Sequence, residues 1–133
     1  MSRSKLIFKS VSNIVGFNQG GLIVLVDETE TRQLSVLCDK SMLYQIGLRL
    51  SGNVIAKTLL PEALLGAFGF ARGDNDMELF VYNIVDGQYK VILTDNRQST
   101  SVRIRMSDAV LLTLISDIPM FISEPLLEQQ GTP

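Results

Sequence analysis

Apolar residues occupy alternate positions along several short stretches of the chain, a pattern typical of β-strands with one buried face. These stretches and the continuous aliphatic runs predict strands over residues 5–16, 22–26, 33–38, 54–56, 77–85, 88–94, 102–106 and 120–122. The strongest turn signal is Asp86-Gly87, because a type I′ turn needs positive φ at both central residues. It predicts a hairpin that joins two of these strands.

Other stretches repeat their apolar residues at the three- and four-residue spacing of a helix. The first predicted helix follows the N-cap Asp39 and is ended by Ser51-Gly52. Further helices are predicted over residues 58–70, from the N-cap Ser107 to residue 117, and from 123–124 onward, with a frayed tail at 129–133.

The two halves of the chain show the same order of predicted elements. A shift of 68 residues superposes the strand end Cys38 on Met106 and the cap Asp39 on Ser107. The match lies in the pattern of residue types and not in their identity. It indicates a pseudo-duplicated unit of the form β-β-β-α-β.

This organisation predicts an α+β fold in a single domain, residues 1–133, with pseudo-repeats at about 5–70 and 77–128. A chain of 133 residues can bury a core without disulfides or a structural metal. We expect a compact mixed sheet, partly barrel-like, with helices packed against it.

Composition narrows the function classes. The chain has no histidine, which excludes His-dependent triads and His-ligated zinc and leaves carboxylate-held magnesium, manganese or calcium as candidate metals. The net charge of −2 argues against tight non-specific binding of duplex DNA. A slightly positive mean hydropathy favours a homo-oligomer.

Cysteine usage and apolar run length predict the location. The single Cys38 cannot form an intramolecular disulfide, which fits a reducing compartment. The apolar runs are too short to cross a bilayer, and no secretory leader is apparent. We therefore expect a cytoplasmic protein without a membrane partner.

The most informative motif is Arg103-Ile104-Arg105-Met106-Ser107-Asp108-Ala109. It resembles the bifunctional nuclease family, whose members end a strand in Asp-x-Arg-Pro-Ser-Asp-Ala and continue into an apolar helix, a short Pro-Ile-x-Val strand and a Glu-rich helix. Residues 118–124 and the Asp86-Gly87 hairpin extend the resemblance, which spans about 10–128. The chain departs from it at Arg103, where the family has an acid, and at Met106, where it has proline.

The resemblance implies a nuclease that hydrolyses phosphodiester bonds of DNA or RNA. Asp108, Ser107 and Arg105 are the candidate catalytic residues, with Arg103, Asp86 and Glu124 as candidate substrate-binding residues. Arginine forks and a helix N-terminus both favour phosphate. Asp108, with Asp86 or Glu124, is a candidate ligand of Mg²⁺ or Mn²⁺, or it orients water.

Three other interpretations stay open. In the first, Ser107 and Asp108 only cap a helix, and Arg105 braces the junction. In the second, the domain is a non-catalytic, oligomeric binding or scaffold domain that has lost its active acid, in agreement with Arg103 at that position. In the third, the helix N-terminus holds a small anionic ligand.

Overall fold

The computed structural model describes residues 2–13, 20–51, 76–96, 100–116 and 118–133. The described strands are β1 (Arg3–Asn13), β2 (Gly21–Asp27), β3 (Gln33–Cys38), β4 (Met77–Val85), β5 (Gln88–Asp95), β6 (Thr100–Arg105) and β7 (Met120–Ser123). The described helices are α1 (Lys40–Leu50), α2 (Met106–Ser116) and α3 (Glu124–Gln130). The strand expected at 54–56 and the helix expected at 58–70 lie outside the described residues.

The described strands form one sheet in the order β3-β2-β1-β7-β4-β5-β6. Neighbouring strands run antiparallel except β7 and β4, which run parallel. The predicted α+β class and mixed sheet are therefore confirmed. Within the described part of the chain the sheet stays open, with β3 and β6 as its two edges, and it does not close into a barrel.

One face of the sheet carries the hydrophobic core. Leu79 is fully buried on β4, whereas its neighbour Phe80, which points to the other face, is only half-buried. Ile46 of α1, Val110 of α2 and Leu127 of α3 belong to the same buried cluster as Leu79. We call this side of the sheet the inner face and the opposite side the outer face.

Both halves of the chain contain a three-stranded antiparallel meander followed by a helix. The first comprises β1, β2, β3 and α1, and the second comprises β4, β5, β6 and α2. Strand β7 lies between the two meanders and pairs with β1 and β4. Helix α2 contacts β3 and β6, so the sheet curves around it and brings both edge strands toward the same helix.

The two strand-to-helix junctions differ in their caps. Asp39 has extended backbone angles and accepts a hydrogen bond from the Met42 amide at 2.8 Å, as an N-cap does. The second helix begins at Met106, so the prediction that Ser107 is the N-cap is wrong. Met106 is buried in the core, and this packing extends the helix to a residue that was expected to end the strand.

The turn and the tail also bear on the predictions. Asp86 and Gly87 have φ angles of 52° and 77°, which confirms the predicted hairpin between β4 and β5. The expectation of a frayed tail is wrong, because Gln129 and Gln130 are helical and Thr132 pairs with Gln33. Backbone pairing, which side-chain pattern does not report, holds the tail in place.

The described helices contain at most 11 residues. None of them has the length and apolar character needed to span a bilayer.

Candidate functional site

An open groove of about 1170 Å³ lies where the ends of β3 and β6 approach the start of α2. Its lining residues are 35–39, 82–85, 87–91, 103–108 and Gln130. Strands β3 and β6 are at opposite edges of the sheet, so only the curvature of the sheet brings them to one groove. The two strand-to-helix junctions of the pseudo-repeat therefore border the same space.

Arg105 and Asp108 form a forked ion pair at the rim of this groove. The guanidinium donates from Nε to Oδ2 at 2.9 Å and from Nη2 to Oδ1 at 3.4 Å. The side chains are 70 % and 40 % exposed, so water screens the pair and its contribution to stability is small. The hydrogen bond to Asp108 raises the pKa of Arg105, and the charge of Asp39 adds to this effect.

The basic residues of β5 and β6 concentrate positive charge beside this pair. Arg103 is exposed on β6, two residues before Arg105, and both residues line the groove. Lys90 of β5 lies directly opposite Arg105 in the strand pairing. Three cations on two adjacent strands therefore line the groove together with Asp108, and their charge favours an anionic group there.

Ser107 lies in the first turn of α2 and lines the groove with its side chain half-buried. Four of the six predicted site residues are thus brought together: Arg103, Arg105, Ser107 and Asp108.

The other two predicted residues are not brought to the groove. Asp86 is exposed at the tip of the β4–β5 hairpin and is not among the groove-lining residues. Glu124 instead accepts hydrogen bonds from Arg32 at 2.9 and 3.1 Å and another from the Ser4 hydroxyl. The hydrogen bonds from Arg32 lower the pKa of Glu124 most, and the bond from Ser4 lowers it further.

Arg32 bridges Glu124 to a second carboxylate, Asp27, and sequence analysis missed this arrangement. Asp27 is 3 % exposed and accepts from Arg32 Nε at 3.1 Å and from the Thr31 amide at 2.9 Å. Burial raises the pKa of Asp27, but the hydrogen bonds from Arg32 and Thr31 outweigh burial and lower the pKa to about 2. The local Asp-to-Thr turn could have been read from the sequence, whereas Glu124, 92 residues from Arg32, could not.

The described residues do not fit a metal site built from protein ligands alone. No group of three His, Cys, Asp or Glu side chains that could hold a metal ion occurs among them, and the Asp108 carboxylate already accepts from Arg105. Mg²⁺ is also bound through one or two carboxylates together with substrate phosphates, and Asp108 is the predicted carboxylate that lines the groove.

Cys38 and Tyr89 also line the groove, but their chemistry is unfavourable for catalysis. Burial raises the pKa of the Cys38 thiol and of the Tyr89 hydroxyl. A thiol that stays protonated is a poor nucleophile. Cys38 belongs to the buried hydrophobic cluster, at the wall of the groove.

Comparison of the chain with models of known protein families gives no match, and comparison with curated protein sequences gives no significant match either.

Proposed function

We propose that this domain is a nuclease that hydrolyses phosphodiester bonds of DNA or RNA in the groove between β3 and β6. One observation carries the proposal: Arg103, Arg105, Ser107 and Asp108, which combine cationic, hydroxyl and carboxylate chemistry, share this groove with Lys90. A phosphodiester carries one negative charge, and the three cations supply the neutralisation that its hydrolysis needs.

The Arg105–Asp108 pair suggests how the groove would treat a bound strand. A phosphate competes with the carboxylate for the Arg105 fork, because a guanidinium binds either group through two parallel hydrogen bonds. When Arg105 turns to phosphate, Asp108 becomes available to accept a proton from a water molecule. That water attacks phosphorus, the bond to the leaving oxygen breaks, and solvent protonates the leaving oxygen.

A second candidate is a binding domain of the same fold without catalysis. It is favoured by Arg103, which stands where the resembled family has an acid, and by the ion pair that occupies Asp108. In this case the groove binds the sugar-phosphate backbone but leaves it intact. The two candidates bind the same class of ligand. They differ in whether Asp108 accepts a proton from water or stays in its ion pair with Arg105.

The test compares the purified protein with Asp108→Asn, which removes the charge of the carboxylate and keeps its shape. Labelled single- and double-stranded DNA and RNA are incubated with magnesium, manganese or chelator, and cleavage is followed on gels. Glu28→Gln, the same change at an exposed turn residue, is the matched control. Cleavage lost only in Asp108→Asn supports the nuclease, and equal cleavage in all three proteins contradicts it.

Absence of cleavage with salt-sensitive binding supports the second candidate instead. Arg105→Ala should then weaken binding to every sequence tested, because phosphate contacts carry no sequence information.

We further propose that the chain forms a homo-oligomer, with a cytoplasmic location expected from cysteine usage. The edge strand β6 supports self-association, since Val102 is 55 % exposed and is not among the residues that line the groove. Burial of such residues between subunits is favourable. Light scattering coupled to gel filtration measures the mass, and a strictly monomeric mass over a roughly hundredfold concentration range contradicts this proposal.

A further inference from the structure

A continuous row of side chains crosses five strands on the outer face of the sheet. Strand pairing places Lys5 beside Phe121, Phe121 beside Phe80, Phe80 beside Ile92, and Ile92 beside Arg103. We call these five residues the cross-strand row. Its centre is apolar and mainly aromatic, and each of its ends is basic.

The cross-strand row points away from the hydrophobic core. Its neighbours along the strands, Leu79, Val81, Val91 and Ile122, are at most 1 % exposed, and side chains alternate between the faces of a strand. The apolar members of the row are absent from the buried cluster to which all three described helices contribute. They are half-buried, so their apolar surface is partly accessible.

Basic residues lie at both ends of the row and along one side of it. The outer positions of these strands carry Arg3, Lys5, Lys90, Arg103 and Arg105, five of the twelve basic residues of a chain whose net charge is −2. Glu78 lies on the other side of the row, paired with Thr94, and accepts two hydrogen bonds from the Arg3 guanidinium at 3.0 and 3.1 Å. The face is therefore cationic on an acidic protein, and its charge complements a polyanion.

Two further side chains add flat surface to the row. The Arg3 guanidinium carbon lies over the Phe121 ring, 4.1 Å from its centre, so the planar guanidinium packs on the ring. Tyr82 follows at the bulge of β4, is 38 % exposed and lines the groove together with Arg103. Planar groups thus extend from Phe121 to the rim of the groove.

We propose that this outer face binds single-stranded nucleic acid and leads it into the groove. Bases stack on Phe80, Tyr82 and the Arg3 guanidinium, and phosphates contact Lys5 and Arg103. Aromatic rings bind bases whose faces are free, which duplexes do not offer, and the basic residues at the two ends of the row contact the backbone. The inference deepens the proposed function, on which it rests for the ligand class, by assigning single strands as the substrate.

The test measures fluorescence anisotropy of labelled twelve-residue oligo-dT and oligo-U with the whole chain, in chelator to prevent metal-dependent cleavage. Tyr82→Ala and Phe80→Leu remove rings, and the second retains an apolar side chain for folding. Each is expected to weaken binding roughly 5- to 150-fold, the contribution of one stacked base. Tyr44→Ala, which removes an exposed tyrosine of α1, is the matched control and should bind as the unaltered protein does.

The salt dependence tests the phosphate contacts. Lys5→Ala should lower the slope of log affinity against log salt by roughly 0.7, the effect of one lost contact to a single strand. Arg49→Ala, an equal charge change on α1, should leave the slope unchanged.

Three outcomes would overturn the inference. The first is that Phe80→Leu and Tyr82→Ala both bind the oligonucleotides with unaltered affinity. The second is that the protein binds duplex as tightly as single strands, and the third is that Tyr82→Ala dissociates an oligomer of the protein but leaves oligonucleotide affinity constant. The last would assign the face to a second copy of the chain.

Failure of the proposed nuclease is distinguishable from failure of this inference. If Asp108→Asn has no effect on cleavage, or no cleavage occurs, ring-dependent binding of single strands still stands. If Asp108→Asn abolishes cleavage but the ring variants bind normally, the nuclease stands without the stacking surface.

Discussion

Gln33 and Thr132 exchange both of their backbone hydrogen bonds, at 2.7 and 2.9 Å. This pair attaches the C-terminal tail to β3, an edge strand of the sheet. Unpaired groups on an edge strand invite pairing with other chains, so the tail both stabilises the edge and shortens its free length.

Thr132→Pro removes the donor of one of these bonds. We expect the free energy of unfolding to fall by roughly 1 kcal/mol, the net contribution of one backbone hydrogen bond, as measured by urea denaturation. Thr132→Ala keeps the backbone donor and serves as the control. Equal stability of the two variants would show that the pairing contributes nothing.

The hydrogen bonds of Asp27 lead us to expect that the protein is less stable in acid. Burial raises its pKa, but the hydrogen bonds from Arg32 and Thr31 outweigh burial and lower the pKa to about 2 in the folded protein. A carboxyl group with a depressed folded pKa stabilises the fold above its unfolded pKa of about 4, and this contribution is lost as pH falls toward about 2. The urea midpoint should therefore decrease steadily between about pH 5 and pH 2.

Asp27→Asn should flatten this acid dependence and lower stability at neutral pH by roughly 1–3 kcal/mol, because buried donors lose their charged acceptor. Glu28→Gln, at the adjacent exposed position, is the control for a carboxylate-to-amide change. A midpoint that falls with acid as steeply in Asp27→Asn as in the unaltered protein would exclude Asp27 as the cause.

Two glycines are expected to respond in opposite directions to substitution by alanine. Gly87 has a φ of +77°, where a Cβ is strained, so Gly87→Ala should destabilise the protein by roughly 1 kcal/mol. Gly47 lies within α1, and among the described residues a Cβ at this position would meet no heavy atom within 4 Å beyond its own helix backbone and chain neighbours. Gly47→Ala should therefore stabilise the protein by up to about 1 kcal/mol. Thermal unfolding of both variants checks the signs, and shifts in the same direction would contradict the reasoning.

Local pattern was sufficient for most of the described elements. The alternation around Leu34 and Val36, the cap at Asp39 and the Asp86-Gly87 turn are each decided within a few residues, so the sequence predicts them. Contacts between distant residues are not encoded in this way. Nothing in the local sequence indicates that Arg32 reaches Glu124.

Part of the groove could be predicted because some of its residues are close in sequence. Arg103, Arg105, Ser107 and Asp108 are consecutive or nearly so, and one strand-to-helix junction places them together. The contribution of Lys90 depends on strand pairing, and that of β3 depends on the curvature of the whole sheet. Likewise, Met106 belongs to the helix because of core packing, which propensity alone does not report.

Arg105→Lys tests whether the groove uses geometry or charge alone. Lysine keeps the positive charge but cannot form the two parallel bonds seen between Arg105 and Asp108. Because the pair is exposed, we expect the free energy of unfolding to change by less than about 0.5 kcal/mol.

Binding of single-stranded oligonucleotide should retain its salt slope in Arg105→Lys, because the number of cationic contacts is unchanged. Its affinity should nevertheless fall roughly tenfold, the effect expected when one forked phosphate contact becomes a single point contact. Lys90→Arg, which adds a fork opposite position 105 without changing charge, is the reciprocal variant and should bind at least as tightly as the unaltered protein. If Arg105→Lys binds with undiminished affinity and an unchanged slope, positive charge alone explains the groove, and the forked geometry has no part in recognising phosphate.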